Sequence, residues 1–342
     1  MEEPKKRIEY IDVAKGVLIM CLFYGHSIIY GRILGVDEEA THLIGKTQLL
    51  YEGFFMQSFF LITGFCSSFK IPISVFIWKN IKTILLPGML LSVLGNYIWS
   101  LLNGGGISSI VILLSKLSDW FLLGGEWFII ALFCSKLTLW FILKRSKHLQ
   151  IVIVALIYIV GLTLNQIDIF PNYIWHRHTM LLIPYLYMGF LAKDNLGKIE
   201  PIMKPVALIG VVIIPVQVLL DIKDFYHMPF NDNGIHVSLL NFPIHYLNVF
   251  CGTAIVILIS RTIEKCAFIK TLGMGSLLCY LWNGLLLMLF ITLIRNIGFN
   301  PNEQYTGWIF YMIAVMLSYI AAYVLVLLVY NNKCLKWLVG KW

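Results

Sequence analysis

Long apolar stretches recur along this chain, and no other feature limits its folding as strongly. Ten of them stand at residues 10–31, 45–69, 83–102, 125–143, 149–166, 179–192, 205–220, 237–260, 271–295 and 307–330. A helix that crosses a bilayer needs roughly 20 such residues, because the hydrocarbon core offers its backbone no water to bond. The stretches are too long and continuous to be the alternating strands of a membrane barrel. The expected fold is therefore all-α. We expect a polytopic membrane protein of about ten transmembrane helices, forming one domain over residues 1–342. Composition agrees: 59% of the residues are hydrophobic and 13% charged, against about 25% charged in a soluble domain. A soluble globular protein, a disordered chain and a disulfide scaffold are excluded.

The excess of basic residues sets the orientation. With a cytoplasmic N-terminus, the inside segments hold six groups of three: Lys5, Lys6, Arg7; Lys70, Lys79, Lys82; Lys144, Arg145, Lys147; Lys193, Lys198, Lys204; Arg261, Lys265, Lys270; and Lys333, Lys336, Lys341. The outside segments hold only Arg32, Lys46, Lys116, Arg177, Lys223 and Arg295. This is the positive-inside bias, and it places both termini in the cytoplasm. The net charge of +8 is thus a matter of topology and no sign of a nucleic-acid partner. Asp12, Lys15 and His26 interrupt the apolar run behind the basic start, so the first span is expected to be an uncleaved signal anchor. The seven cysteines show neither metal spacing nor pairing and are expected to be small core residues. Two outer loops are long. Residues 103–124 turn apolar after Asn103-Gly104-Gly105-Gly106 and suggest an interfacial or re-entrant helix. Residues 221–236 are polar, aromatic and turn-rich, suited either to acceptor contact or to a solvated connector.

Charged groups at bilayer depth cost roughly 2.5–3.5 kcal/mol each, so they normally face a bundle interior or a cavity. Lys15 and His26 are eleven residues apart, which at about 100° per residue puts them within some 20° of one helix face. Their axial separation is about 16 Å, and Asp12 lies one turn below Lys15. The helix thus offers a cation near the cytoplasm and an imidazole in the outer half. The first could hold a phosphate-bearing donor and the second could act as base. The plainer alternatives are a core histidine bonded to a carbonyl, and an Asp12–Lys15 ion pair. Glu52, near His26 in depth, could orient the imidazole. Glu126 opens the fourth span, where a helix N-terminus favours an exposed carboxylate. Lys136, Asn96, Asn283, His245 and Asn248 read as polar links between helices. His176-Arg177-His178 read mainly as interface residues, and no cluster has zinc-ligand spacing.

The first span, RIEYIDVAKGVLIMCLFYGHS (residues 7–27), resembles the opening helix of the acyltransferase 3 family of integral-membrane acyltransferases. That helix carries a basic residue and, eleven positions on, a histidine, here Lys15 and His26, with Asp12 and Gly16 also matching. The branch containing fucose O-acetylase-like proteins is the most similar, since Lys at the first of these positions is common there. FFMQSFFLITGF (54–65) resembles the second-helix signature, with Gln57 where proline is usual. KTILLP (82–87) resembles the basic start of the third helix, with Lys79 one turn earlier. EWFIIALF (126–133) resembles a Leu-Trp-Phe-Leu motif with Glu126 in place of leucine. GSLLCYLWN (275–283) resembles a late Ser-Leu-x-x-Tyr-Leu-x-His element, with Asn283 at the histidine position.

The resemblance implies acyl transfer across a membrane, from cytoplasmic acyl-CoA, usually acetyl-CoA, to a hydroxyl of an extracytoplasmic or lipid-linked glycan. Membrane lipids surround the protein, and a bacterial cytoplasmic membrane is the expected location. Residue by residue, His26 would be the catalytic histidine and Lys15 its basic partner, with Lys79 and Lys82 as candidates for the CoA phosphates. Glu52 and Asp12 are the carboxylates expected to assist, and no metal is expected. His26 could act as a general base or as a transient acyl carrier. The rival reading is a proton-coupled transporter or flippase of a polar lipid or glycan intermediate, with Lys15, Glu52 and His26 as its proton relay. No repeat or pair of broken helices supports that rival.

Overall fold

The computed structural model describes residues 8–121, 125–167, 175–219, 241–299 and 303–339. Among these residues no strand occurs. The chain runs as α1 (Glu9–Ile33), α2 (Glu38–Glu52), α3 (Phe55–Cys66), α4 (Ile73–Asn80), a π turn (Ile81–Leu85) and α5 (Leu86–Leu102). It continues as α6 (Ile107–Phe121), α7 (Trp127–Ile142), α8 (Lys147–Ile167), α9 (Trp175–Asp194) and α10 (Leu196–Leu219). It closes with α11 (Asn241–Thr262), α12 (Ala267–Met274), α13 (Ser276–Asn296), α14 (Gln304–Asn331) and a 3-10 turn at Lys336–Val339.

Among the described residues, eight stretches are long and apolar enough to cross a membrane on their own, counting α2 with α3 and α4 with α5 as one each. The other two expected spans are α7, apolar but only 16 residues long, and α9, 20 residues, whose first turn carries His176, Arg177 and His178. The chain is an all-α polytopic membrane protein. Exposed apolar side chains confirm what surrounds it. On α14, Ile309, Ile313, Met316, Ile320, Val324 and Leu328 form a continuous outward stripe at helical spacing, a face that water would not tolerate and lipid does.

Helix boundaries differ from the apolar runs where a local feature intervenes. The second span begins early, at Glu38, because Asp37 caps the helix by accepting from the Glu39 amide at 3.0 Å. It then breaks at Gly53 into two helices. The third starts with a π turn because Pro87 has no N–H and its ring displaces the carbonyl four residues earlier, so the hydrogen-bond ladder slips by one. The ninth is split at Gly275 into α12 and α13. The expected interfacial segment is α6, held on α5 by a Ser100–Ser109 hydroxyl pair at 2.9 Å. The loop at 221–236 lies outside the described residues, as do Lys5, Lys6, Arg7, Lys223 and Lys341.

Polar contacts between helix ends sort into two faces, as the charge alternation requires. On the face assigned to the cytoplasm, Lys193 donates to the Ser67 carbonyl at 3.1 Å, Arg261 pairs with Glu200 at 2.6 Å and Lys270 with Glu9 at 2.7 Å. On the opposite face Arg295 donates to the Leu34 carbonyl, and the His42 ring bonds Gln304 at 3.2 Å.

α1 is the hub. It packs against α2, α3, α11, α12, α13 and α14, and its apolar residues divide between two cores. Ile11, Ala14 and Leu18 join the core of α3, α7, α9 and α11, while Ile19, Leu22, Phe23 and Ile28 join that of α13 and α14. Its inner half docks on α12 at backbone distance. A Cβ on Gly16 would lie 2.0 Å from the Ile269 carbonyl oxygen, and one on Gly273 only 1.7 Å from that of Asp12. Both positions therefore require glycine, and the contact fixes the depth and rotation of α1.

Candidate active site

Three lysines gather at the inner end of α1. Lys136, on α7, is within electrostatic reach of both Lys15 and Lys79. Among the described residues no carboxylate forms an ion pair with any of the three. Like charges brought together in a low-dielectric setting repel, and an anion placed among them would relieve that repulsion. Lys82, one turn beyond Lys79, lies over the Trp78 ring at 5.0 Å from its centroid. Asp12 is buried, 4% exposed, and belongs to this same end. It lies fourteen residues from His26 on one unbroken helix, about 21 Å along the axis. Any assistance from Asp12 is therefore given at the Lys15 end of the helix and not at the imidazole.

The second group surrounds His26. Asn283 on α13 accepts a hydrogen bond from His26 Nδ1 at 2.8 Å, and its own amide donates to the Tyr280 carbonyl. Tyr30, one turn further along α1, sets its ring edge-on to the imidazole, with centroids 6.1 Å apart. Gly284 makes room for it, since a Cβ there would lie 2.4 Å from the Tyr30 hydroxyl. The opposite wall comes from α5 and α7. Glu126 precedes α7 without capping it and instead accepts from Ser92 Oγ at 3.1 Å. It is half-buried, and its carboxylate is within electrostatic reach of the Tyr30 and Tyr280 phenols. Phe128 packs on Tyr280 at 4.7 Å, and Trp127 on His178 at 4.3 Å between ring centroids. Trp282 donates to the Leu91 carbonyl at 2.9 Å and ties α13 to α5.

Glu52 ends α2, where Tyr51, Gln48 and Thr47 meet Tyr24 and Gly25 of α1. The described hydrogen bond of His26 is made with Asn283, a partner other than Glu52, the carboxylate read from the sequence as able to orient the imidazole or share a proton with it. The exposed position expected for Glu126 is corrected by its contact with Ser92. His245 and Asn248 are helix links as expected, bonding Tyr185 and Gln217 at 2.9 and 3.0 Å, whereas Asn96 turns back on its own helix and donates to the Ser92 carbonyl at 2.9 Å. Between Lys15 and His26, the same face of α1 carries Ile19 and Leu22, 1% and 2% exposed. The path between the two polar groups is thus closed by apolar packing rather than open along its length. A cavity of about 600 Å³ lies elsewhere, between α1, α3, α9, α10 and α11, with an apolar lining and Tyr10 and Arg261 at its mouth. Among the described residues no group of three or more potential metal ligands occurs.

A family model described as an acyltransferase domain, that of the acyltransferase 3 family, matches residues 8–327. The chain belongs to the acyltransferase 3 family. No curated protein and no solved structure matches it. The match runs from the start of α1 to the last turns of α14, so both the lysine cluster and the His26 group lie inside the acyltransferase domain. Three residues of these groups carry no catalytic or donor role in the sequence reading: Asn283 and Lys136 read there as polar links between helices and Glu126 as an exposed helix start. The signals present were their polarity within apolar helices and the places of Asn283 and Glu126 in the family-like motifs.

Proposed function

We propose that this acyltransferase moves an acyl group, most simply acetyl, from cytoplasmic acyl-CoA to a hydroxyl of an extracytoplasmic or lipid-linked glycan, as its resemblance to the fucose O-acetylase-like branch implies. The observation that carries this reading is the disposition of α1, with a cluster of cations at its inner end that pair with no carboxylate among the described residues, and an anchored imidazole on the same face about 16 Å further out. The CoA phosphates sit at Lys15, Lys79 and Lys136, with Lys82 nearby on the same membrane face. The pantetheine arm runs outward along α1, displacing Ile19 and Leu22, and delivers the thioester to His26.

The chemistry is a base-assisted acyl transfer. His26 Nε2, the nitrogen not engaged by Asn283, takes the proton of the acceptor hydroxyl. The oxygen attacks the thioester carbonyl, the new C–O bond forms and the C–S bond breaks. The proton then passes from the imidazolium to the departing thiolate, leaving free CoA. Base catalysis of this kind contributes about 10²–10⁴ in rate. Glu126 and Trp127, beside Tyr30 and Tyr280, supply a carboxylate and an aromatic face suited to a polyhydroxylated ring.

The test is mass spectrometry of surface glycans from cells with the gene, without it, and with His26→Ala. O-Acetyl groups are expected only with the wild-type gene, while the variant remains folded in the membrane. Acetylation undiminished in His26→Ala would remove the mechanism.

A further inference from the structure

The side chain of Asn283 is fixed from behind. Its Nδ2 donates to the Tyr280 carbonyl, one turn earlier on α13. A carbonyl can only accept, so the NH₂ end of the amide must face Tyr280 and the oxygen must face the other way. That oxygen is the atom 2.8 Å from His26 Nδ1. An amide oxygen also can only accept. The proton of a neutral His26 ring therefore belongs on Nδ1, and Nε2 keeps its lone pair. Asn283 is buried, 4% exposed, so no bulk water competes for either end of its amide.

We infer that Asn283 is a positioning residue that holds His26 in its Nδ1–H tautomer, leaving Nε2 as the basic nitrogen. A histidine at position 283 could present either a donor or an acceptor and would leave the tautomer of His26 undecided. Asparagine cannot, because its only donor group is committed to Tyr280. Tyr30 restrains the ring from its own helix, so orientation and tautomer are set by different neighbours. The role deepens the function proposed above and rests on His26 being the base.

The experiment is nitrogen NMR of the full chain in detergent micelles, with ¹⁵N-labelled histidine, at about pH 9, well above the ordinary imidazole value of ~6.5. His26 is assigned by the signals lost in His26→Gln. In the wild type, Nδ1 is expected to carry the proton and Nε2 to show the shift of an unprotonated ring nitrogen. Asn283→Leu removes the acceptor at similar size, and the proton is expected to move to Nε2, since a buried Nδ1–H would otherwise lack a partner. Asn283→Asp offers an acceptor only and should restore the Nδ1–H form. A wild-type ring protonated on Nε2, or an Asn283→Leu ring unchanged from wild type, would overturn the inference. Should Asn283→Leu fail to fold, the wild type and Asn283→Asp still decide. The readout does not depend on turnover. An Nδ1–H ring in a protein that acetylates nothing would refute the proposed function and leave the tautomer assignment standing.

Discussion

An ionisable side chain within a bilayer persists where its surroundings repay the cost of burial, and the individual residues here show two ways of doing so. His26 is repaid by a hydrogen bond to Asn283. Lys15, Lys79 and Lys136 make no ion pair among the described residues, and under the proposed function the phosphates of the donor repay their burial. From that follows a prediction for Lys136, which sequence alone read as a link between helices. Lys136→Met should raise the KM for acetyl-CoA about tenfold or more, the worth of one charge-assisted hydrogen bond at roughly 1.5 kcal/mol, with kcat little changed. Lys136→Arg should recover most of the loss. Steady-state kinetics on purified protein checks both, and an unchanged KM in Lys136→Met would place the phosphates elsewhere. The pair Lys15 and His26 was legible in the sequence because both sit on one helix, where spacing alone fixes the shared face. Asn283 was not, since its contact with His26 joins positions 257 residues apart. Glu126 was not, because the partner that draws it inward, Ser92, belongs to another helix.

At the level of elements, hydropathy located the spans and missed their interruptions. An apolar run looks the same to lipid whether or not its backbone breaks, so Gly53 and Gly275 left no mark in the pattern. The π turn was more readable in principle, since Pro87 dictates it. The contact of α1 with α12 positions the lysine end of the site. Gly273→Ala would push a methyl group against the Asp12 carbonyl, which is backbone and cannot rotate away. The expected cost is about 1–3 kcal/mol, seen as a lowered unfolding midpoint in detergent, with Lys15 shifted outward. A midpoint equal to wild type would mean that α1 and α12 are not in backbone contact.

Across the whole molecule, exposed apolar stripes and the pairing of helix ends fit a membrane-spanning bundle with two polar faces, and charge alternation is what assigns the cytoplasmic one. Cys66 and Cys334 are exposed rather than core as expected, because each lies at a helix end on the basic face. Cys334 therefore reports topology directly. A membrane-impermeant maleimide should label it in inside-out vesicles and leave it unlabelled in intact cells; labelling from the cell exterior would invert the assignment. Under the proposed function this orientation makes transfer vectorial, with the donor consumed on one side and the product formed on the other. Inside-out vesicles carrying the cell's own glycans in their lumen, supplied outside with acetyl-CoA labelled in its acetyl group, test this most directly. Label is expected on luminal glycan with free CoA remaining outside, and none is expected from vesicles bearing His26→Ala. Equal luminal labelling in the two preparations, or entry of intact acetyl-CoA into the lumen, would contradict transfer along α1.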